Sequence, residues 1–191
     1  DELNNNPPLL SKITSINIMN MEIVGYKNFI IKESNNKLNA TTYISPDYSI
    51  CPQCKEEIFD KNNRRYRYPF TNCTNCGPRF SIIKSLPYDR VSTTMYDFKM
   101  CNKCKNEYNN PSNRRFHAEP NACPECGPRV YIIDKYNNEI KCTDYFSKVI
   151  SLLKQGNIFA IKGIGGFNLV CDSKNEKTIK ILRERKHRPS K

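Results

Sequence analysis

Cys51-Pro-Gln-Cys54-Lys-Glu-Glu57 opens a stretch that runs through Asn63-Arg64-Arg65-Tyr-Arg-Tyr-Pro-Phe-Thr-Asn-Cys73-Thr-Asn-Cys76-Gly-Pro-Arg79 and on to Ile82-Ile83. It recurs fifty residues later, from Cys101-Asn-Lys-Cys104-Lys-Asn-Glu107 through Asn113-Arg114-Arg115 to Cys123-Pro-Glu-Cys126-Gly-Pro-Arg129 and Ile132-Ile133. Residues 51–83 and 101–133 share 14 identities in 33 ungapped positions, which marks a duplicated module. A Cys-x-x-Cys turn aims two sulfurs at one point, and two such turns supply the four thiolates of a tetrahedral zinc site. The gaps between successive pairs are 18, 24 and 18 residues. Each copy therefore holds a full ligand set. The expected sites are Cys51, Cys54, Cys73, Cys76 and Cys101, Cys104, Cys123, Cys126, paired locally, with two Zn2+ per chain.

A disulfide framework is the competing explanation, but it suits small secreted domains. No segment resembles a signal peptide, and no apolar run approaches the ~20 residues of a membrane span. A reducing, cytoplasmic setting and thiolate-bound metal are expected. Cys-Pro-x-Cys-Gly-Pro at 123–128 is similar to a rubredoxin knuckle, which leaves four-cysteine iron as the other metal. Cys142 and Cys171 lie outside the repeat and read as small buried apolar residues.

The chain has 191 residues and a formal charge of +12. The positive charge is concentrated after residue 50, which suits an anionic partner: nucleic acid, nucleotide or phosphate. Arg64-Arg65-Tyr66-Arg67-Tyr68-Pro69-Phe70 interleaves bases with aromatics, as single-stranded nucleic-acid platforms do. The same position recurs as Arg114-Arg115-Phe116-His117, which favours a structural role around the metal, with arginine bonded to carbonyls or thiolates. His117 is expected to pack or to support the site, since four cysteines already fill its module.

Ile16 and Ile18 alternate with polar neighbours and Phe29-Ile30-Ile31 is a short apolar run, so both read as strands. Phe80–Ile83 and Val130–Ile133 read as strands leaving the two sites. From residue 141 the pattern turns α/β. Thr143 or Asp144 caps a helix to about Gln155, with Gly156 at its end. Ile158–Ile161 reads as a buried strand that enters a glycine-rich turn at 162–167, a place where backbone N–H groups can meet phosphate. A second helix runs from Ser173 or Asn175 to Lys186 and is stopped by Pro189. Lys186, Arg188 and Lys191 would converge on one polyanion if the chain turns there.

The two repeats, together with Lys162-Gly-Ile-Gly-Gly-Phe-Asn-Leu-Val-Cys-Asp172 and Leu182-Arg-Glu-Arg-Lys-His-Arg-Pro-Ser-Lys191, resemble the HypF family of nickel–iron hydrogenase maturation. The resemblance implies an α+β chain with four parts. These are the tail of an acylphosphatase-like domain (1–47), a first zinc finger (48–97), a second (98–140) and the start of a YrdC-like domain (141–191). It further implies an ATP-dependent, ligase-type carbamoyltransferase acting on carbamoyl phosphate through a carbamoyl adenylate. The acceptor would be a cysteine of HypE, and Lys186, Arg188 and Lys191 would sit at nucleotide phosphates. The family's other catalytic segments are not in this sequence, so no catalytic residue is assigned and the segment alone is expected to be inactive. Asn168 stands where the family usually has His. The chain, which begins at Asp1, is expected to be part of a longer polypeptide. The other function in view is a tandem zinc ribbon that grips nucleic acid.

Overall fold

The computed structural model describes residues 2–7, 11, 13–28 and 43–188. They belong to two compact units, Asp1–Gly127 and Pro128–Lys191. The first is built on the repeat. After the short helix α1 (Glu2–Asn5), helices α2 (Pro52–Phe59) and α3 (Asn102–Asn109) occupy equivalent positions in the two copies, each with the first cysteine of its module at the N-cap in an extended conformation. Pro52 suits the first helical position, where no N–H partner is needed. Each helix buries one residue, Cys54 or Cys104. Eight residues with one buried side chain make no self-sufficient helix, so the cysteine cluster takes the place of a core.

The chain then turns twice in the same way in both copies. The Asp60 and Asn110 side chains accept from the backbone of Asn62 and Ser112, and Asn63 and Asn113 accept from Arg65 and Arg115, at 2.9–3.0 Å. Arg67 and His117 both take a left-handed conformation, at φ 56° and 49°, and donate their N–H to Ile58 and Tyr108 carbonyls. These Asx turns and the left-handed residue reverse the chain and hold the arginine pair between them.

The Pro78–Phe98 segment has no counterpart in the second copy within this unit. It forms two short 3-10 turns, Arg90–Ser92 and Thr94–Asp97. Ile82 and Met95 there pack with Tyr68 and Ala122 in an apolar cluster flanked by Phe70, Tyr88 and Phe98. Tyr68 comes from the first module and Ala122 from the second, so this small core joins the two.

In the second unit, α4 (Tyr145–Lys154) is capped by Asp144, which accepts from Ser147 at 3.1 Å, and Gly156 at φ 86° ends it. Strands β1 (Phe159–Lys162) and β2 (Phe167–Val170) form an antiparallel hairpin, closed by Gly163 N–H donating to the Gly166 carbonyl at 2.7 Å. Helix α5 (Glu176–Arg185) is capped by Asn175. Just past its end His187 is left-handed, and Arg188 N–H bonds the Arg183 carbonyl.

Several expected elements differ. Residues 13–28 form no strand, and Ile18 is 89% exposed. A strand needs a partner for its backbone, and the described residues offer none. The Phe29–Ile31 run lies outside the described residues. Phe80–Ile83 is a turn with one bridge, Ile83 to Thr93, because Asp47 takes the N–H groups of Arg79 and Ser81. Val130–Ile133 reduces to one bridge, Ile133 to Glu139, where Asp134 draws the N–H groups of Tyr136 and Asn138 into a tight turn. The strand expected to be buried is β1, and it is largely exposed. Its glycine-rich exit is a hairpin turn, and β2 was not foreseen. Helix α5 ends at Arg185, within one residue of the expected Lys186, and Pro189 lies outside the described residues.

A methyl group at Gly127 would lie 2.2 Å from the Tyr68 hydroxyl and 2.5 Å from the Ala122 Cβ. Gly127→Ala should therefore cost about 1–3 kcal/mol by overpacking, read from denaturant unfolding of the zinc-loaded protein. Gly165→Ala, with nothing within 4 Å, should be near neutral. The Tyr68 hydroxyl is buried without a partner among the described residues, so Tyr68→Phe should be neutral or stabilising.

Candidate metal centres

Cys51, Cys54, Cys73 and Cys76 place their sulfurs within 4.8 Å of one another, and so do Cys101, Cys104, Cys123 and Cys126. In the first set, Cys51–Cys73 and Cys73–Cys76 are 3.7 and 3.8 Å apart. In the second, Cys101–Cys123, Cys123–Cys126 and Cys104–Cys126 are 3.8, 3.7 and 3.6 Å apart. A disulfide would bring two sulfurs to about 2.05 Å. A tetrahedron with Zn–S of about 2.3 Å has an edge of about 3.8 Å, so each cluster fits one tetrahedral zinc. Four thiolates fill that shell, leaving a structural site with no position for substrate. Each set comes from a single repeat, and no cluster mixes the copies.

The arginines do mix them. Arg64 donates to the Cys104 sulfur at 3.2 Å, and Arg114 donates to the Cys54 sulfur at 3.2 Å. Arg65 reaches Cys104 at 3.6 Å and Arg115 reaches Cys54 at 4.0 Å. The Nε of Arg65 donates to the Ala122 carbonyl and that of Arg115 to the Asn72 carbonyl, both at 2.9 Å. Ala122 and Asn72 are themselves fifty residues apart. The two modules thus exchange arginine pairs across a local twofold relation. Some bonds break the symmetry: Thr74 N–H donates to the Arg114 carbonyl, where its counterpart Pro124 has no N–H to give, and Arg65 donates to Asn121, whose counterpart is Thr71.

A carboxylate completes each exchange. Glu107 receives Arg64 at 2.7 Å and Arg65 at 2.6 Å, while Glu57 receives Arg114 at 2.8 Å and also Arg115. Arg65 and Arg115 are 2% and 3% exposed, so these are buried ion pairs. Burial works against the Glu107 carboxylate, yet the bonds and charges of Arg65 and Arg64 prevail and hold its pKa down to about 2. Glu57 is also held below its ordinary value, burial being outweighed by Arg115 and Arg114. Burial pushes the Cys104 thiol up, and Arg64 pulls against it. A zinc with four thiolates carries a formal charge of about −2, which the incoming guanidinium groups offset.

Arg79 stays within its own module and donates to the Cys73 and Thr74 carbonyls at 2.9 Å, while its repeat mate Arg129 is exposed. His117 packs against Tyr108 and Phe116, with ring centroids 4.9 and 4.6 Å away. Cys142 and Cys171 are half-buried and unpaired. Of the basic end, Lys186 and Arg188 are exposed just past α5, and Lys191 lies outside the described residues. An open groove along α5 of about 780 Å³ is lined by Glu176, Ile179, Lys180, Arg183, Glu184 and His187, not by Lys186 or Arg188. Asn168 faces Ile161 in the hairpin register. In the sequence Glu57 and Glu107 stand out only as repeat identities. They are the one acidic position shared by both copies, which is the signal that pairs them with the arginines.

Glu107→Gln should strip the buried Arg65 of its carboxylate partner and cost about 3–5 kcal/mol, measured by denaturant unfolding at saturating zinc. The Glu107 pKa falls from 4.5 unfolded to about 2 folded. Its contribution is therefore complete above about pH 4.5 and lost only as the pH falls toward 2. The difference between the two proteins should accordingly stay flat from about pH 6 to 8.

Comparison with known proteins agrees with this geometry. The family described as HypF finger matches residues 50–83 and 100–133. The family described as telomere recombination, of Sua5, YciO and YrdC proteins, matches residues 151–191. Carbamoyltransferase HypF of Synechocystis is 50% identical over 97% of this chain and 24% of its own length. The probable carbamoyltransferase HypF of Methanocaldococcus jannaschii is 50% identical over 100% of this chain and 25% of its own. Among solved structures, full-length HypF in a phosphate- and nucleotide-bound form matches with a TM-score of 0.85 at 44% identity, over 100% of this chain and 25% of that one. HypF of T. kodakarensis matches at 0.74 and 50% identity, over 80% of this chain and 20% of that one. The chain spans about a quarter of the length of these relatives. Two HypF fingers with both four-cysteine clusters formed, followed by the opening of a YrdC-like domain, place this chain in the HypF family.

Proposed function

We propose that this chain is the zinc-bearing segment of an ATP-dependent carbamoyltransferase, in which Cys51, Cys54, Cys73 and Cys76 hold one zinc and Cys101, Cys104, Cys123 and Cys126 the other. The observation that carries this reading is the doubled finger, present at about 50% identity in proteins named carbamoyltransferase HypF. In this reading residues 1–47 end an acylphosphatase-like domain, 48–97 and 98–140 are the fingers, and 141–191 begin the YrdC-like domain. The fingers act as a rigid spacer between catalytic parts. The whole protein makes a carbamoyl adenylate from carbamoyl phosphate and ATP, and passes the carbamoyl group to a cysteine of HypE in the cytoplasm. Ten free cysteines suit a reducing compartment, and no helix among the described residues is long and apolar enough to cross a membrane. Lys186, Arg188 and Lys191 contact nucleotide phosphate, a role supported by the exposed cationic end of α5.

The nucleic-acid reading loses its main support. Arg64, Arg65, Arg114 and Arg115 are engaged with thiolates and carboxylates inside the protein and are not free to meet a phosphate backbone.

The test is carbamoyl-phosphate-dependent conversion of ATP to AMP. The complete protein should show it and this segment alone should not. Arg188→Ala in the complete protein should weaken ATP use about 10- to 150-fold, as the loss of a charge-assisted bond does, with zinc content unchanged. Turnover by the isolated segment would overturn the placement of the chemistry elsewhere. An unchanged ATP dependence would remove Arg188 from the nucleotide site.

A further inference from the structure

The two zinc sites share no ligand, so duplication alone predicts two independent metals. The structure gives them something else in common. The groups that neutralise each cluster are supplied by the other module: Arg64 and Arg65 reach Cys104 and Glu107, and Arg114 and Arg115 reach Cys54 and Glu57. Each arginine pair is aimed by the Asx turn and left-handed residue of its own module. That turn follows directly on the short helix whose N-cap and third residue carry two of the module's ligands. Metal in one site therefore orders the loop that presents arginine to the other. The Arg65 guanidinium also bonds Asn121 and the Ala122 carbonyl, immediately before Cys123, and Arg115 bonds the Asn72 carbonyl immediately before Cys73. Each pair thus fixes the second knuckle of the opposite site as well as its charge.

We propose that the two sites load and release zinc as one positively coupled pair, with Arg64, Arg65, Arg114 and Arg115 as positioning residues acting in trans. Coupling of this kind is reciprocal: zinc in the first site tightens the second by the factor that zinc in the second tightens the first. An isolated module has its four thiolates and lacks the guanidinium groups that offset their charge. Half-loaded protein is the species this arrangement disfavours. The inference rests on the zinc reading of both clusters, and its test separates the two ideas.

The experiment is chelator titration of the zinc-loaded chain, followed by native mass spectrometry and by maleimide labelling mapped to individual cysteines. Two-zinc and zinc-free protein should exchange directly, with the one-zinc species well below the half of the population that two equal independent sites reach at mid-titration. Arg114→Ala should weaken zinc at Cys51, Cys54, Cys73 and Cys76 by about 10- to 150-fold, more than at its own module's cysteines, and a one-zinc species labelled on the first set should accumulate. Arg64→Ala should do the same to the second set. Arg114→Lys keeps the charge and loses the planar fork, and should fall between. A one-zinc species at the independent-site level in the unaltered chain, or labelling confined to the module that carries the substitution, would overturn the coupling. A chain that binds no zinc at the outset would overturn the zinc reading itself. The titration of the unaltered chain decides the matter even if a variant does not fold.

Discussion

A buried guanidinium group needs an anion, and a four-thiolate zinc site is one. The first unit rests on that complementarity, used twice and crossed. Arg65 and Arg115 are almost wholly enclosed, which would be prohibitive for an unpaired charge. Each is met by a carboxylate, by a carbonyl and by sulfur. The apolar core beside them is small: Tyr68, Ile82, Met95 and Ala122. Modules of this size do not stabilise themselves by hydrophobic burial. Metal binding, which can contribute about 10–16 kcal/mol in small zinc peptides, and crossed ion pairs take over that task.

Duplication accounts for the form of the exchange. When a module that offers one arginine pair and one acidic cluster is copied in tandem, the copies are self-complementary about a twofold axis. What the first donates the second accepts, and the reverse. This is the logic of an isologous dimer inside a single chain. The departures from symmetry mark where the copies have specialised. Pro124 loses a backbone bond that Thr74 keeps, and Ala118 stands where Tyr68 bridges to the second knuckle. Arg129 has left the role that Arg79 retains at the Cys73 and Thr74 carbonyls.

The eight cysteines were legible because ligand spacing is a local property, fixed by the turn that carries it. The helix caps Asp144 and Asn175 and the stop at Gly156 were legible for the same reason. Which module an arginine serves is not local. The sequence shows Arg64-Arg65 a few residues from its own cysteines, and only the fold carries it to the other set. The strands failed for a related cause. Ile16, Ile18 and Phe80–Ile83 have strand-like composition, but a strand is made by its partner, and composition does not name one. The hairpin of β1 and β2 is half legible: β1 is an apolar run, but the pairing across the glycine-rich turn is made by backbone bonds that composition does not name.

Cadmium-113 NMR of the metal-exchanged chain tests the crossed arrangement most directly, because scalar couplings pass through Cd–S bonds and through N–H···S hydrogen bonds. One cadmium should correlate with the β protons of Cys101, Cys104, Cys123 and Cys126 and with guanidinium protons of Arg64. The other should correlate with Cys51, Cys54, Cys73 and Cys76 and with Arg114. Correlation of either cadmium with cysteines of both repeats, or with the arginines of its own module, would contradict the account.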